Sequence, residues 1–181
     1  MGNGDGLCAP PPPCRGNGRQ GRGSAPRAPQ RAHPEIFGSR RSPMCERLKF
    51  RPHHFLCSLG FEGKGYSEGF TANMSAIVGG RLRRPDGEDV KIEVVAAADD
   101  ICAPCPSRRG ALCVAQDRIA RLDAAHARAL EVAPGDVLRW GEALDRMAAL
   151  PAGALNEICS GCQWLAGGMC AKALDRLKAD R

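Results

Sequence analysis

A chain of 181 residues has room for one ordinary domain, or for a domain plus a tail. Its 26 Lys+Arg against 20 Asp+Glu give a formal charge of +6, but residues 1–43 hold seven Arg and only two acids, so residues 44–181 are close to neutral. That balance points to neither nucleic acid nor a membrane surface as a partner, and no apolar run reaches the roughly 18 residues that a bilayer span needs.

Residues 1–43 contain Pro10-Pro11-Pro12-Pro13 with repeated Gly-Arg and Ala-Pro steps, and almost nothing apolar. Such a segment buries too little surface to offset its ordering entropy, so the expectation is a disordered Gly/Pro/Arg-rich tail ahead of a domain over 44–181. The abrupt change in composition also suggests translation starting at Met44. The first 30 residues have no apolar stretch of signal-peptide length. The expected compartment is therefore a reducing cytoplasm, where clustered cysteines read as metal ligands or redox groups rather than disulfides.

Leu48-Lys49-Phe50-Arg51 alternates as a short strand should, and Pro52 suits the start of a helix that continues through His53, His54 and Cys57 to Leu59. On that helix His53 and His54 lie four and three positions before Cys57, so the three share a face. Gly60 to Tyr66 reads as a flexible loop. Its Gly63-Lys64-Gly65 lacks the full phosphate-loop pattern and is read as a turn. Ser67 caps a second helix whose Phe70, Met74, Ile77, Val78 and Leu82 form a core stripe. Val90, Ile92, Val94 and Val95 suggest a second strand. Strand, helical crossover and strand predict a parallel pair, with ligands collecting beyond the carboxyl ends of the strands. Those ends lead into His53, His54 and Cys57 and into Cys102.

From Cys102 one spacing occurs twice. Cys102-x2-Cys105-x7-Cys113 is answered by Cys159-x2-Cys162-x7-Cys170, each copy preceded by an acid and an isoleucine and carrying glycine in its longer gap. A C-x2-C turn brings two sulfurs to one metal, and a glycine-bearing loop lets a third return. A helix is expected after each arm, over 114–131 and 171–179, with another around Trp140, Leu144 and Met147. Helix N-termini next to thiolates favour a negatively charged metal–sulfur centre. His126 reads as a surface or packing histidine, and Trp164 as a shield beside Cys162.

A four-ligand site needs one donor more than each arm has. Either one centre takes both C-x2-C pairs, or each arm holds its own centre and takes a fourth ligand from Cys57, His53 or His54. Faithful repetition of the third cysteine favours the second arrangement. Structural zinc sites draw on pairs roughly 15–20 residues apart, far closer than these, and each pair here has a third thiol. Cysteine-dominated ligation suits both metals, and the ligand count together with the resemblance given below favours an iron–sulfur cluster, with zinc as the alternative. A dithiol switch needs no third cysteine, and idle buried thiols would not repeat a spacing.

Arg51-Pro52-His53-His54-x2-Cys57, Gly60-Phe61-x-Gly63-x-Gly65-Tyr66-Ser67, Asp99-Asp100-Ile101-Cys102-x2-Cys105-Pro106, Pro134-Gly135-Asp136, Trp140-Gly141-Glu142-Ala143-Leu144 and Ile158-Cys159-x2-Cys162-x-Trp164 together resemble the bacterial and archaeal domain of unknown function 1284. The resemblance runs from Leu48 to Leu177. It implies an iron–sulfur-binding, ferredoxin-like protein and brings no reaction or substrate.

The expected fold is a mainly helical α+β domain with a short two-stranded parallel sheet and four or five helices, stapled by metal. The expected function is an iron–sulfur protein that carries electrons or supports a redox partner. Its ligands are Cys102, Cys105, Cys113, Cys159, Cys162 and Cys170, with Cys57, His53 or His54 auxiliary. The alternatives are a zinc-stabilised interaction module and a metal-dependent enzyme using His53 and His54 at an open coordination position.

Overall fold

The structure, a computed structural model, describes residues 47–181. The expected disordered tail, Met44, Cys8, Cys14 and Cys45 lie outside the described residues. The fold is mainly helical α+β, with six α-helices, a mixed three-stranded sheet and a separate two-stranded hairpin among the described residues.

The sheet is the floor on which the rest is laid. Strand β1 (Leu48–Phe50) buries Leu48 and Phe50 and turns Lys49 out, as its alternation requires. It pairs in parallel with β2 (Lys91–Val94), Phe50 opposite Val94. The chain crosses between them through α1 (His54–Leu59), α2 (Glu68–Ile77) and a π-helical turn at Val78–Leu82. The Ser67 hydroxyl accepts from the Phe70 amide at 3.1 Å, the expected N-cap. The parallel pair is as the sequence implies. A third strand, β5 (Val137–Arg139), runs antiparallel on the other edge of β2. Its three residues, of which only Leu138 is buried, are too few for a period of two to register.

Past β2 the chain forms the first cysteine arm, whose longer gap is a hairpin of β3 (Arg108–Arg109) and β4 (Leu112–Cys113). Gly110, at φ 59°, makes its turn. Helices α3 (Gln116–Leu130) and α4 (Trp140–Ala148) follow, then α5 (Ala154–Ile158), which the pattern did not suggest. Helix α6 (Met169–Asp180) starts earlier than expected, so Cys170 lies inside its first turn. Phe55 of α1 packs edge-on against Phe50 at 5.6 Å and stacks on Trp140 of α4 at 6.4 Å. This aromatic cluster seats α1 between sheet and helices and leaves its His/Cys face towards α3 and α6. No helix among the described residues is long and apolar enough to cross a membrane.

Candidate metal centre

Helix α1 ends at Gly60, and Cys57 lies one turn before that end. Gly60 touches the first turn of α6 so closely that a Cβ built on it would stand 2.7 Å from Cys170 Sγ and 2.8 Å from Cys170 Cα. The glycine therefore lets two backbones approach, and Cys57 meets Cys170 across that contact. Cys159 is the carboxyl-terminal cap of α5, and the turn from it to Cys162 is closed by the Cys162 amide donating to the Cys159 carbonyl at 2.8 Å.

Cys57, Cys159, Cys162 and Cys170 line one cavity of about 90 Å³. Burial pushes the Cys57 thiol well up, and Cys170, Cys162 and Cys159 each push it further. Burial likewise raises Cys159 to about 12 and Cys170 to about 11, with neighbouring cysteines adding to both. Every pair among the four sulfurs thus interacts. Four thiolates in so apolar a place repel one another, and a bound cation is what would let them ionise together. None of the seven described cysteines is in a disulfide.

The first arm is arranged differently. Cys102 lies beside His54 and Asp99, their donor atoms within 4.8 Å of one another. Cys105 is near enough to Tyr66 to raise its phenol, although burial is the larger cause. Cys113 sits on β4 opposite Arg108, its amide donating to Gln116 Oε1 at 3.2 Å. These three do not border the cavity. Burial, reinforced by the Asp99 carboxylate, pushes Cys102 up to about 12.

A buried polar network backs the cavity. His53 Nδ1–H donates to Asp123 Oδ1 at 2.5 Å, and the other carboxylate oxygen accepts from Arg51 Nε at 2.8 Å and Nη2 at 2.7 Å. His54 Nδ1–H donates to Asp99 Oδ2 at 2.6 Å. Asp99 also accepts from the Arg51 amide at 2.6 Å and the Cys102 amide at 2.9 Å. Although burial opposes it, the His54 ring and these hydrogen bonds hold the Asp99 carboxyl down at about 2. Burial, then the neighbouring His54, holds the His53 imidazole down at about 4. Asp99 therefore joins β1, α1 and the first arm, while Asp123 ties α3 to α1.

His126, read as a packing or surface residue, is buried and borders the cavity with Nε2 3.5 Å from Cys159 Sγ. Arg51, Asp99 and Asp123 also carry more of the site than the sequence suggested. The available signal lay in α3, where Asp123 and His126 stand three apart beside Leu122 and Leu130 on its buried face. Trp164 borders the cavity and donates its indole N–H to Tyr66 Oη at 3.2 Å.

The family described as "protein of unknown function (DUF1284)" matches residues 65–168. The chain belongs to this family. The matched stretch of the DUF1284 chain holds the whole first arm and Cys159 and Cys162, and stops between Cys57 and Cys170 on either side. No curated protein and no solved structure matches it. What this DUF1284 domain binds has to be argued from its donor atoms.

One zinc held by four thiolates at about 2.3 Å spaces its sulfurs by roughly 3.8 Å. Among the described residues no three cysteine sulfurs lie mutually within 4.8 Å. The four thiols share the cavity wall with the rings of His53, His54 and His126.

Proposed function

We propose that this protein binds an iron–sulfur cluster through Cys57, Cys159, Cys162 and Cys170 and uses it in electron transfer with a redox partner in a reducing compartment. The observation that carries the reading is Cys57, which joins three thiols of an arm that begins about a hundred residues later in the chain. The second arm thus has its fourth donor. Such a cluster, when bound, supplies one-electron chemistry at a potential set by hydrogen bonds to sulfur and by exposure. The chain's own residues would tune it. Phe61, Phe70 and Leu165 limit water on the cavity side, the His126 ring lies against the Cys159 sulfur, and the amino end of α6 offers partial positive charge to Cys170.

Anaerobic purification followed by iron, zinc and acid-labile sulfide analysis tests the proposal. The expected material is brown, with iron and sulfide in equal, near-integral amounts and visible absorption that dithionite bleaches. Colourless protein with one zinc per chain would establish the zinc-stabilised module instead. Protein with neither metal would end both readings.

A further inference from the structure

The cavity has a second wall, made of imidazoles. His53, His54 and His126 all border it, and each commits Nδ1 to an acceptor without a proton of its own. These acceptors are the Asp123 carboxylate, ion-paired to Arg51, the Asp99 carboxylate, and the Leu122 carbonyl at 2.7 Å. Each Nδ1 is therefore a donor, which in the neutral ring leaves a lone pair on Nε2. Nε2 of His126 stands 3.5 Å from Cys159 Sγ, whereas no hydrogen-bond donor among the described residues meets Nε2 of His53 or His54.

A ring whose far nitrogen is held by a carboxylate or carbonyl is the arrangement that metal-binding histidines show almost without exception. Here it occurs three times around one space. Ring centroids are 4.1 Å apart for His53 and His54 and 6.3 Å for His53 and His126. Three imidazoles on one tetrahedral ion at about 2.0–2.1 Å hold their centroids roughly 5 Å apart, between those two values. The three Nε2 atoms are not mutually within 4.8 Å, so binding one ion requires the rings to turn towards one another. The group that is within 4.8 Å, His54, Asp99 and Cys102, is a poorer cage, because Asp99 already accepts three hydrogen bonds.

We propose that His53, His54 and His126 form a nitrogen-donor site for a divalent transition-metal cation of borderline softness, adjoining the four-cysteine centre where His126 meets Cys159. Asp99 and Asp123 supply the negative charge behind the rings, and Arg51 keeps Asp123 in place. Three protein ligands leave a position on the ion open to the cavity, the arrangement that catalytic rather than structural sites keep. Lys64 and Arg118 also line the cavity and would attract an anionic molecule to that open position.

The test is titration of the anaerobically purified protein, as isolated, with Co²⁺ and then Zn²⁺. One Co²⁺ per chain is expected, with visible d–d bands, without intense near-ultraviolet thiolate charge transfer, and displaced by Zn²⁺. His53→Gln and His54→Gln should each weaken Co²⁺ binding at least tenfold while iron and sulfide stay at wild-type amounts. Asp123→Asn, which touches no ion, should weaken it about 10–100-fold. No Co²⁺ uptake, thiolate-dominated spectra, or unchanged affinity in the histidine variants would overturn the site. The proposed cluster stands or falls separately: iron-free protein that keeps the Co²⁺ signature rejects only the cluster, and iron-loaded protein that takes no Co²⁺ rejects only the imidazole site.

Discussion

Gly60→Ala probes the contact on which the four-thiol centre depends. Gly60 has φ −84° and ψ 2°, a conformation open to any L-residue, so only space demands glycine there. The added methyl would lie 2.7 Å from Cys170 Sγ, 2.8 Å from its Cα and 3.1 Å from its amide nitrogen. Carbon contacts are favourable only near 3.5–4.0 Å, so α6 must retreat by about 1 Å or α1 must tilt. Two of the three opposing atoms are backbone, which cannot rotate aside. Overpacking of this kind costs about 1–3 kcal/mol. The same retreat separates Cys57 from Cys170. Urea unfolding should show stability lowered by that amount, and iron per chain should fall in parallel. Gly69→Ala is the control of opposite sign: it lies in the first turn of α2, where a Cβ finds only Pro104 Cβ at 4.0 Å. There alanine should stabilise by about 0.4–1 kcal/mol. If Gly60→Ala matched wild type in both stability and iron, the close approach of α1 to α6 would be wrong.

Cys57→Ser should lose most of the iron, whereas Cys113→Ser should keep it, because only Cys57 borders the cavity; metal analysis of the two variants side by side decides. Arg51 is 1 % exposed and ion-paired with Asp123, so Arg51→Ala strands a buried carboxylate and should cost about 3–5 kcal/mol by denaturant unfolding. Stability should also fall on mild acidification. His53 is held at about 4 against an ordinary 6.5, so between those values the unfolded chain binds a proton that the native one refuses. Stability is then lost as pH drops from 6.5 towards 4, by up to about 1.4 kcal/mol per pH unit, and burial of His126 adds in the same direction. Urea midpoints at pH 7.5 and 5.5 should separate more in wild type than in His53→Gln.

Much of the architecture was legible because it rests on short-range pattern. Alternation in Leu48–Phe50 and Lys91–Val94 and the Ser67 cap mark elements whose partners follow from connection rules. Elements of a few residues, β5 and α5, carry no period long enough to register and exist because neighbours hold them. Asp99 was visible only as part of a motif. Asp123 looked like any helical acid, since nothing in its own turn says that Arg51, seventy-two positions away, lies beneath it.

The sequence by itself determined the donor chemistry: two equal cysteine arms, a His-His pair one helical turn from another cysteine, and a nearly neutral domain able to fold around them. Which donors meet was decided by the tertiary structure alone. Two arms of identical spacing are equivalent on paper, but α1 is seated by Phe50, Phe55 and Trp140 so that Cys57 faces α6, and Gly60 lets the two helices touch. The second arm therefore completes a set of four thiols, while of the first only Cys102 lies beside His54 and Asp99. Ligand spacing along a chain is local, whereas the fourth ligand comes from packing, and packing depends on the whole fold.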